Sequence, residues 1–121
     1  MDTPSTRSLV SRRTAIVGAV AAVAVHLLAL YAPSVGIEGP VSWTDKVVHV
    51  LLFAGPTYAV GLALRSIAPA AVLFAAHAPV SEVIQGALLP NRSGDVWDGV
   101  FDLVGVALAA GLLVVRRRAQ R

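Results

Sequence analysis

Four long apolar segments, separated by short polar connections, constrain this chain more than any other feature of its sequence. Each segment has about 18 to 23 residues, a length that as an α-helix matches a bilayer core of roughly 30 Å. Hydrophobic residues make up 56% of the chain and charged residues only 14%, whereas soluble domains are about one-quarter charged. The sequence therefore predicts an all-α, polytopic membrane protein that folds as a bundle of four transmembrane helices.

Polar and helix-breaking residues delimit the predicted helices. They place helices at residues 14–32, 46–64, 67–89 and 96–115, with Thr44 as the N-cap of the second. Residues 1–13 are then an N-terminal tail, residues 14–115 the membrane domain and residues 116–121 a basic C-terminal tail. Pro56 and Pro79 fall inside the second and third helices and predict kinks there.

The basic residues lie at the ends of the apolar segments, and their distribution predicts orientation. With four spans both termini face one side, and eight of the ten basic residues fall on that side. These eight are Arg7, Arg12, Arg13, Arg65, Arg116, Arg117, Arg118 and Arg121. The positive-inside rule then predicts a multi-pass protein of the cytoplasmic (inner) membrane with both termini cytoplasmic. This placement explains the net charge of +3 without a nucleic-acid partner.

Ionisable side chains of three predicted helices fall at similar depths below the outer surface. His49, Glu82 and Asp102 lie roughly 5, 10 and 9 Å below the outer helix ends. Intramembrane carboxylates cost about 2.5 to 3.5 kcal/mol near a helix centre, so they should face the bundle interior. The predicted polar site comprises Asp45, Lys46, His49, Glu82, Gln85, Arg92, Asp98 and Asp102, with His77 and Ser81 as secondary candidates on the face of Gln85.

The excess of carboxylates in this set requires compensation in a low dielectric. The cluster must hold a proton, charge His49 or bind a cation. No cofactor is expected, although a divalent cation is compatible with these ligands, and the absence of cysteine excludes thiolate ligands and disulfides.

Structural roles compete with functional ones for several of these residues. Acidic residues at helix N-termini stabilise the helix dipole, Lys46 and Arg92 can reach lipid phosphates, and Glu82 can form an interhelical bond. His26, alone on an apolar helix, is predicted to be a buried packing residue with one hydrogen bond. The acidic residues predicted to stabilise a helix dipole are Asp45, Asp95 and Asp98.

The order and spacing of the polar motifs resemble the VanZ-like family of small bacterial membrane proteins. The motifs are Asp45-Lys46-x-x-His49, Ser81-Glu82-x-x-Gln85, Arg92 and Asp98-x-x-x-Asp102-x-x-Gly105. The family pattern usually has Asn where this chain has Asp102, and a carboxylate lacks the amide's NH2 donors. The family is named for a protein associated with teicoplanin resistance, so the resemblance implies a role in the cell envelope.

Three functional hypotheses follow from these residues. The first is a binding module whose outward-facing site engages an envelope component, such as a lipid-linked precursor or a glycopeptide, and so contributes to teicoplanin-type resistance. Two helix N-termini beside Lys46 and Arg92 would hold its phosphate or carboxylate. The second is a membrane enzyme acting on such a substrate through His49 or a bound cation, although no recognised catalytic motif supports it. The third is a small transporter or scaffold subunit.

Overall fold

Four α-helices make up almost all of the described part of the chain, as the sequence predicts. The computed structural model describes residues 10–32, 42–89 and 95–121. Its helices are α1 (Arg12–Tyr31), α2 (Ser42–Leu64), α3 (Ile67–Leu88) and α4 (Val96–Ala119). All four are long and apolar enough to cross a membrane.

Three helix boundaries differ from the predicted ones by two residues or more. α1 begins two residues early because the Ser11 hydroxyl accepts the Thr14 backbone N–H and caps the helix there. α2 begins at Ser42, so Thr44 lies within the helix and is not its N-cap. α4 continues to Ala119, so the arginines at 116–118 belong to its last turn, where positive charge is favourable to the helix dipole.

The second helix is the centre of the bundle. α2 packs against each of the other three helices, whereas among the described residues α1 and α4 do not pack against each other. The helices alternate in direction. At one end of the bundle α1 and α3 terminate and α2 and α4 begin, and we call this the loop end. The opposite end, which carries Arg12, the Arg65–Ser66 turn and Ala119, is called the terminal end.

The exterior of the bundle is apolar, unlike the surface of a soluble protein. Large apolar residues such as Val17, Val72 and Leu112 are exposed on the outside. Several polar side chains are buried instead, namely His26, His49, Thr57, Ser81, Gln85, Asp98 and Asp102. An apolar exterior around polar interior groups suits a lipid solvent, which cannot hydrogen-bond to side chains.

Gly105 allows the backbones of α4 and α2 to touch. A Cβ at this position would collide with the Val50 carbonyl oxygen and lie 3.1 Å from the Ala54 backbone nitrogen. Both are backbone atoms, which cannot move aside as a side chain can. Small residues permit such close helix approaches in membrane proteins.

Gly105→Ala should therefore lower the free energy of unfolding by about 1 to 3 kcal/mol, the usual cost of overpacking a well-packed interior. The matched control is Gly111→Ala on the same helix, where a Cβ meets nothing within 4 Å. Thermal unfolding of both variants in detergent checks this. Equal stability of the two variants would contradict the close contact.

Candidate functional site

A cluster of charged residues closes the loop end of the bundle between α2 and α4. The Lys46 ammonium donates to Asp95 Oδ2 at 2.9 Å, to Asp45 Oδ2 at 3.4 Å and, at shorter range, to Asp98 Oδ1. Asp95 is the N-cap of α4, where its side chain accepts the Trp97 backbone N–H. The Lys46 ammonium and this N–H hold the pKa of the Asp95 carboxyl below its usual range.

His49 lies below this layer and connects it to the interior. Its Nδ1 is 2.7 Å from Asp102 Oδ1, and with an ionised carboxylate the ring N–H donates. On the other side of the ring, Nε2 is 3.5 Å from Asp98 Oδ2 and 3.8 Å from Asp45 Oδ1. One imidazole therefore faces three carboxylates from two helices.

Glu82 brings α3 into the same cluster. Its Oε2 accepts the Asp95 backbone N–H at 3.1 Å. Its Oε1 and Asp102 Oδ2 are buried without a hydrogen-bond partner among the described residues. Asp102 is 0% exposed, and a buried carboxylate oxygen that has lost water without gaining a partner is costly.

These residues have the composition and spacing of a cation site. One nitrogen of His49 and one carboxylate oxygen from each of Glu82 and Asp102 all lie within 4.8 Å of one another. Asp45, His49 and Asp98 form a second, shallower set with the same spacing. Imidazole and carboxylate ligands suit Zn²⁺ or Mn²⁺. Glu82 and Asp102 each also have a buried oxygen without a hydrogen-bond partner among the described residues, which leaves that oxygen open to a cation.

Six of the predicted site residues come together in this cluster, which we call the acid–histidine cluster. They are Asp45, Lys46, His49, Glu82, Asp98 and Asp102. The sequence pattern predicts that Asp95 stabilises the helix dipole of α4, and the structure adds its ion pair with Lys46. That pairing depends on the start of α4 lying beside the start of α2. Arg92 lies outside the described residues.

The remaining predicted residues bond elsewhere. Gln85 Nε2 donates to the Leu30 carbonyl of α1 at 2.9 Å. The Ser81 hydroxyl donates to the Ala78 carbonyl of its own helix. The ring of His77 contacts His26 and Tyr31 on α1. The polar face of α3 therefore divides, with Glu82 facing α4 and the other three occupied by α1 or by α3 itself.

His26, His77 and Tyr31 form a second buried network. His26 Nδ1 is 2.7 Å from the Leu52 carbonyl oxygen, and its Nε2 is 3.0 Å from His77 Nδ1. His77 Nε2 is 2.6 Å from the Tyr31 hydroxyl. His26 thus makes two hydrogen bonds, and the prediction of one was wrong.

The Leu52 carbonyl sets the direction of this network when both rings are neutral. A carbonyl only accepts, so His26 carries its proton on Nδ1 and accepts at Nε2. His77 then donates from Nδ1 and accepts at Nε2, where Tyr31 donates.

Pro56 explains why the Leu52 carbonyl is available. Proline has no backbone N–H, so it cannot make the helical bond to the carbonyl four residues earlier. That carbonyl belongs to Leu52, and His26 of the neighbouring helix supplies the missing donor. α2 continues through Pro56, as membrane helices can when a neighbouring helix satisfies the freed group.

Comparison of the chain with known proteins gives no assignment. No family model, no curated protein and no solved structure matches it.

His26→Leu should lower the free energy of unfolding by about 1 to 3 kcal/mol, because it leaves the buried Leu52 carbonyl without a donor. Adding Pro56→Ala should recover part of this loss, since an alanine at that position has the backbone N–H that proline lacks and can donate it to that carbonyl. Unfolding of the two single variants and the double variant in detergent measures the coupling. If the losses of the two single variants simply add in the double variant, the Pro56→Ala backbone N–H does not replace His26 as the donor to Leu52.

Proposed function

We propose that this chain is a VanZ-like protein of the bacterial cytoplasmic membrane that binds an anionic envelope component through a divalent cation. The observation that carries the proposal is the surplus of carboxylates in the acid–histidine cluster and its neighbour Asp95. Five carboxyl groups face one ammonium and one imidazole there. A surplus of this kind favours a cation.

The state of Lys46 explains why the ligand needs a metal ion. Its ammonium is already paired with Asp45, Asp95 and Asp98, so it is not free to hold a phosphate or carboxylate as the sequence suggests. A bare anion would meet net negative charge at this end of the bundle. A divalent cation held by His49, Glu82 and Asp102 would reverse the local charge and leave coordination positions for the ligand.

The location of the acid–histidine cluster favours a lipid-linked molecule as the anionic ligand. The cluster lies within about 10 Å of the loop end of four membrane-length helices, close to the headgroup layer of a bilayer that such helices span. The excess of arginines at the terminal end supports cytoplasmic termini, which would place the cluster on the outer side. An isoprenoid diphosphate, the chemical group that anchors lipid-linked envelope precursors, presents oxygens that divalent cations bind. Competition for such a precursor is how the protein would affect glycopeptide action.

Purified protein should bind Mn²⁺, and farnesyl diphosphate should bind only when Mn²⁺ is present. Glu82→Gln and Asp102→Asn each remove a ligand charge and should weaken Mn²⁺ binding by at least about tenfold, since even indirect partners of a metal ligand cost this much. Isothermal titration calorimetry measures both affinities.

Asp45→Asn tests which of the two ligand sets holds the ion, because it removes an equal charge from the shallower set of Asp45, His49 and Asp98 only. It should change Mn²⁺ affinity by less than about threefold, in line with weak exposed interactions. Mn²⁺ binding without farnesyl diphosphate binding would contradict the proposed diphosphate ligand but support the metal site. Diphosphate binding unaffected by a chelator would overturn the metal bridge.

A membrane enzyme acting on the same diphosphate is a second candidate. The specific observation is that Asp102 orients the His49 ring, as the partner of a general base does. If the diphosphate is hydrolysed, His49→Gln should abolish phosphate release.

A further inference from the structure

A cavity of about 210 Å³ lies at the terminal end of the bundle, on the opposite side from the acid–histidine cluster. Its lining combines three arginines with apolar side chains. The arginines are Arg65, Arg116 and Arg117, and the other lining residues are Val10, Ala15, Leu62, Leu113 and Gln120. We call this cavity the arginine pocket.

Three separate parts of the chain build the arginine pocket. Val10 lies just before α1 and Ala15 in its first turn. Leu113, Arg116 and Arg117 come from the end of α4. Arg65 comes from the turn between α2 and α3, where it adopts a left-handed φ of 54°. This conformation is unfavourable for a residue with a side chain, and here it occurs where the chain reverses in two residues.

The positive charge of the arginine pocket has no anionic partner in the described part of the chain. The acidic residues described are Asp45, Glu82, Asp95, Asp98 and Asp102, and all of them lie at the loop end. Within residues 10–32, 42–89 and 95–121, one side-chain hydrogen bond involves a pocket arginine, and in it Arg116 donates to the Tyr58 hydroxyl of α2 at 2.6 Å. Tyr58 therefore holds one guanidinium in place without neutralising it.

We propose that the arginine pocket binds the anionic phosphodiester headgroup of a membrane phospholipid in the leaflet on the terminal side. Guanidinium groups pair well with phosphate oxygens. The apolar part of the lining distinguishes a lipid from free phosphate, because Leu62 and Leu113 would contact the glycerol and the first acyl carbons. Basic pockets between membrane helices are a recurrent form of anionic-lipid site.

The test measures binding of dioctanoyl phosphatidylglycerol to the purified full-length chain in detergent, by native mass spectrometry. The variant R65Q/R117Q removes two pocket charges and leaves the bond between Arg116 and Tyr58 intact. At about 1 kcal/mol for each arginine near a lipid surface, affinity should fall by roughly 10- to 30-fold. If this variant does not fold, R65Q alone should show a loss of about fivefold.

The matched control is R118Q/R121Q, which removes the same charge from residues outside the pocket lining. Its affinity should stay within about threefold of the original, because exposed charges contribute little. Equal losses in the two double variants would mean non-specific attraction and would overturn the proposal. So would equal binding of dioctanoyl phosphatidylcholine, or displacement of the lipid by equimolar inorganic phosphate. Because the pocket and the acid–histidine cluster lie at opposite ends, none of these results depends on Mn²⁺ binding.

Discussion

The close contact between α2 and α4 at Gly105 underlies the arrangement of the acid–histidine cluster. Gly105 lies against the backbone of Val50, the residue after His49, and is one helical turn from Asp102. The backbone contact therefore places the imidazole and the buried carboxylate opposite each other, at 2.7 Å. With that distance set, Asp98 and Asp95 follow along α4 toward the loop end and meet Lys46. A bulkier residue at 105 would separate the histidine from its carboxylate and loosen the cluster.

The bundle contains two polar networks with different chemistry. The network of His26, His77 and Tyr31 has a donor for each acceptor when both rings are neutral, and it begins at the carbonyl that Pro56 leaves free. It needs no further ligand and joins α1 to α2 and α3. In the acid–histidine cluster, by contrast, one oxygen each of Glu82 and Asp102 has no hydrogen-bond partner in the described part of the chain, and carboxyl groups outnumber basic groups. Complete hydrogen bonding in the first network indicates a structural role, and incomplete bonding in the second favours a ligand.

The length and apolarity of the segments were enough to predict four helices, and depth along each helix was enough to bring His49, Glu82 and Asp102 to one level. The apolar pattern predicts the helix ends less accurately, because α4 continues through three arginines after the apolar residues stop. Depth also carries no information about rotation around a helix axis. Gln85 shares the depth range of the site, yet it bonds to α1, as does His77, which lies deeper in the bundle. The bond by which His26 supplies the donor that Pro56 lacks could not be predicted, because the sequence does not show that α1 and α2 are neighbours at this level.

Electrostatics give the two ends of the molecule opposite affinities. Acidic groups gather at the loop end and arginines at the terminal end, so a cation is favoured at one and an anion at the other. The central claim is that His49 and the carboxylates around it hold a divalent cation. Pulsed electron paramagnetic resonance of Mn²⁺ bound to the purified protein tests it directly. The account predicts coupling to one imidazole nitrogen that is lost in His49→Gln and retained in His77→Gln, whereas Mn²⁺ bound by oxygen ligands alone would contradict it.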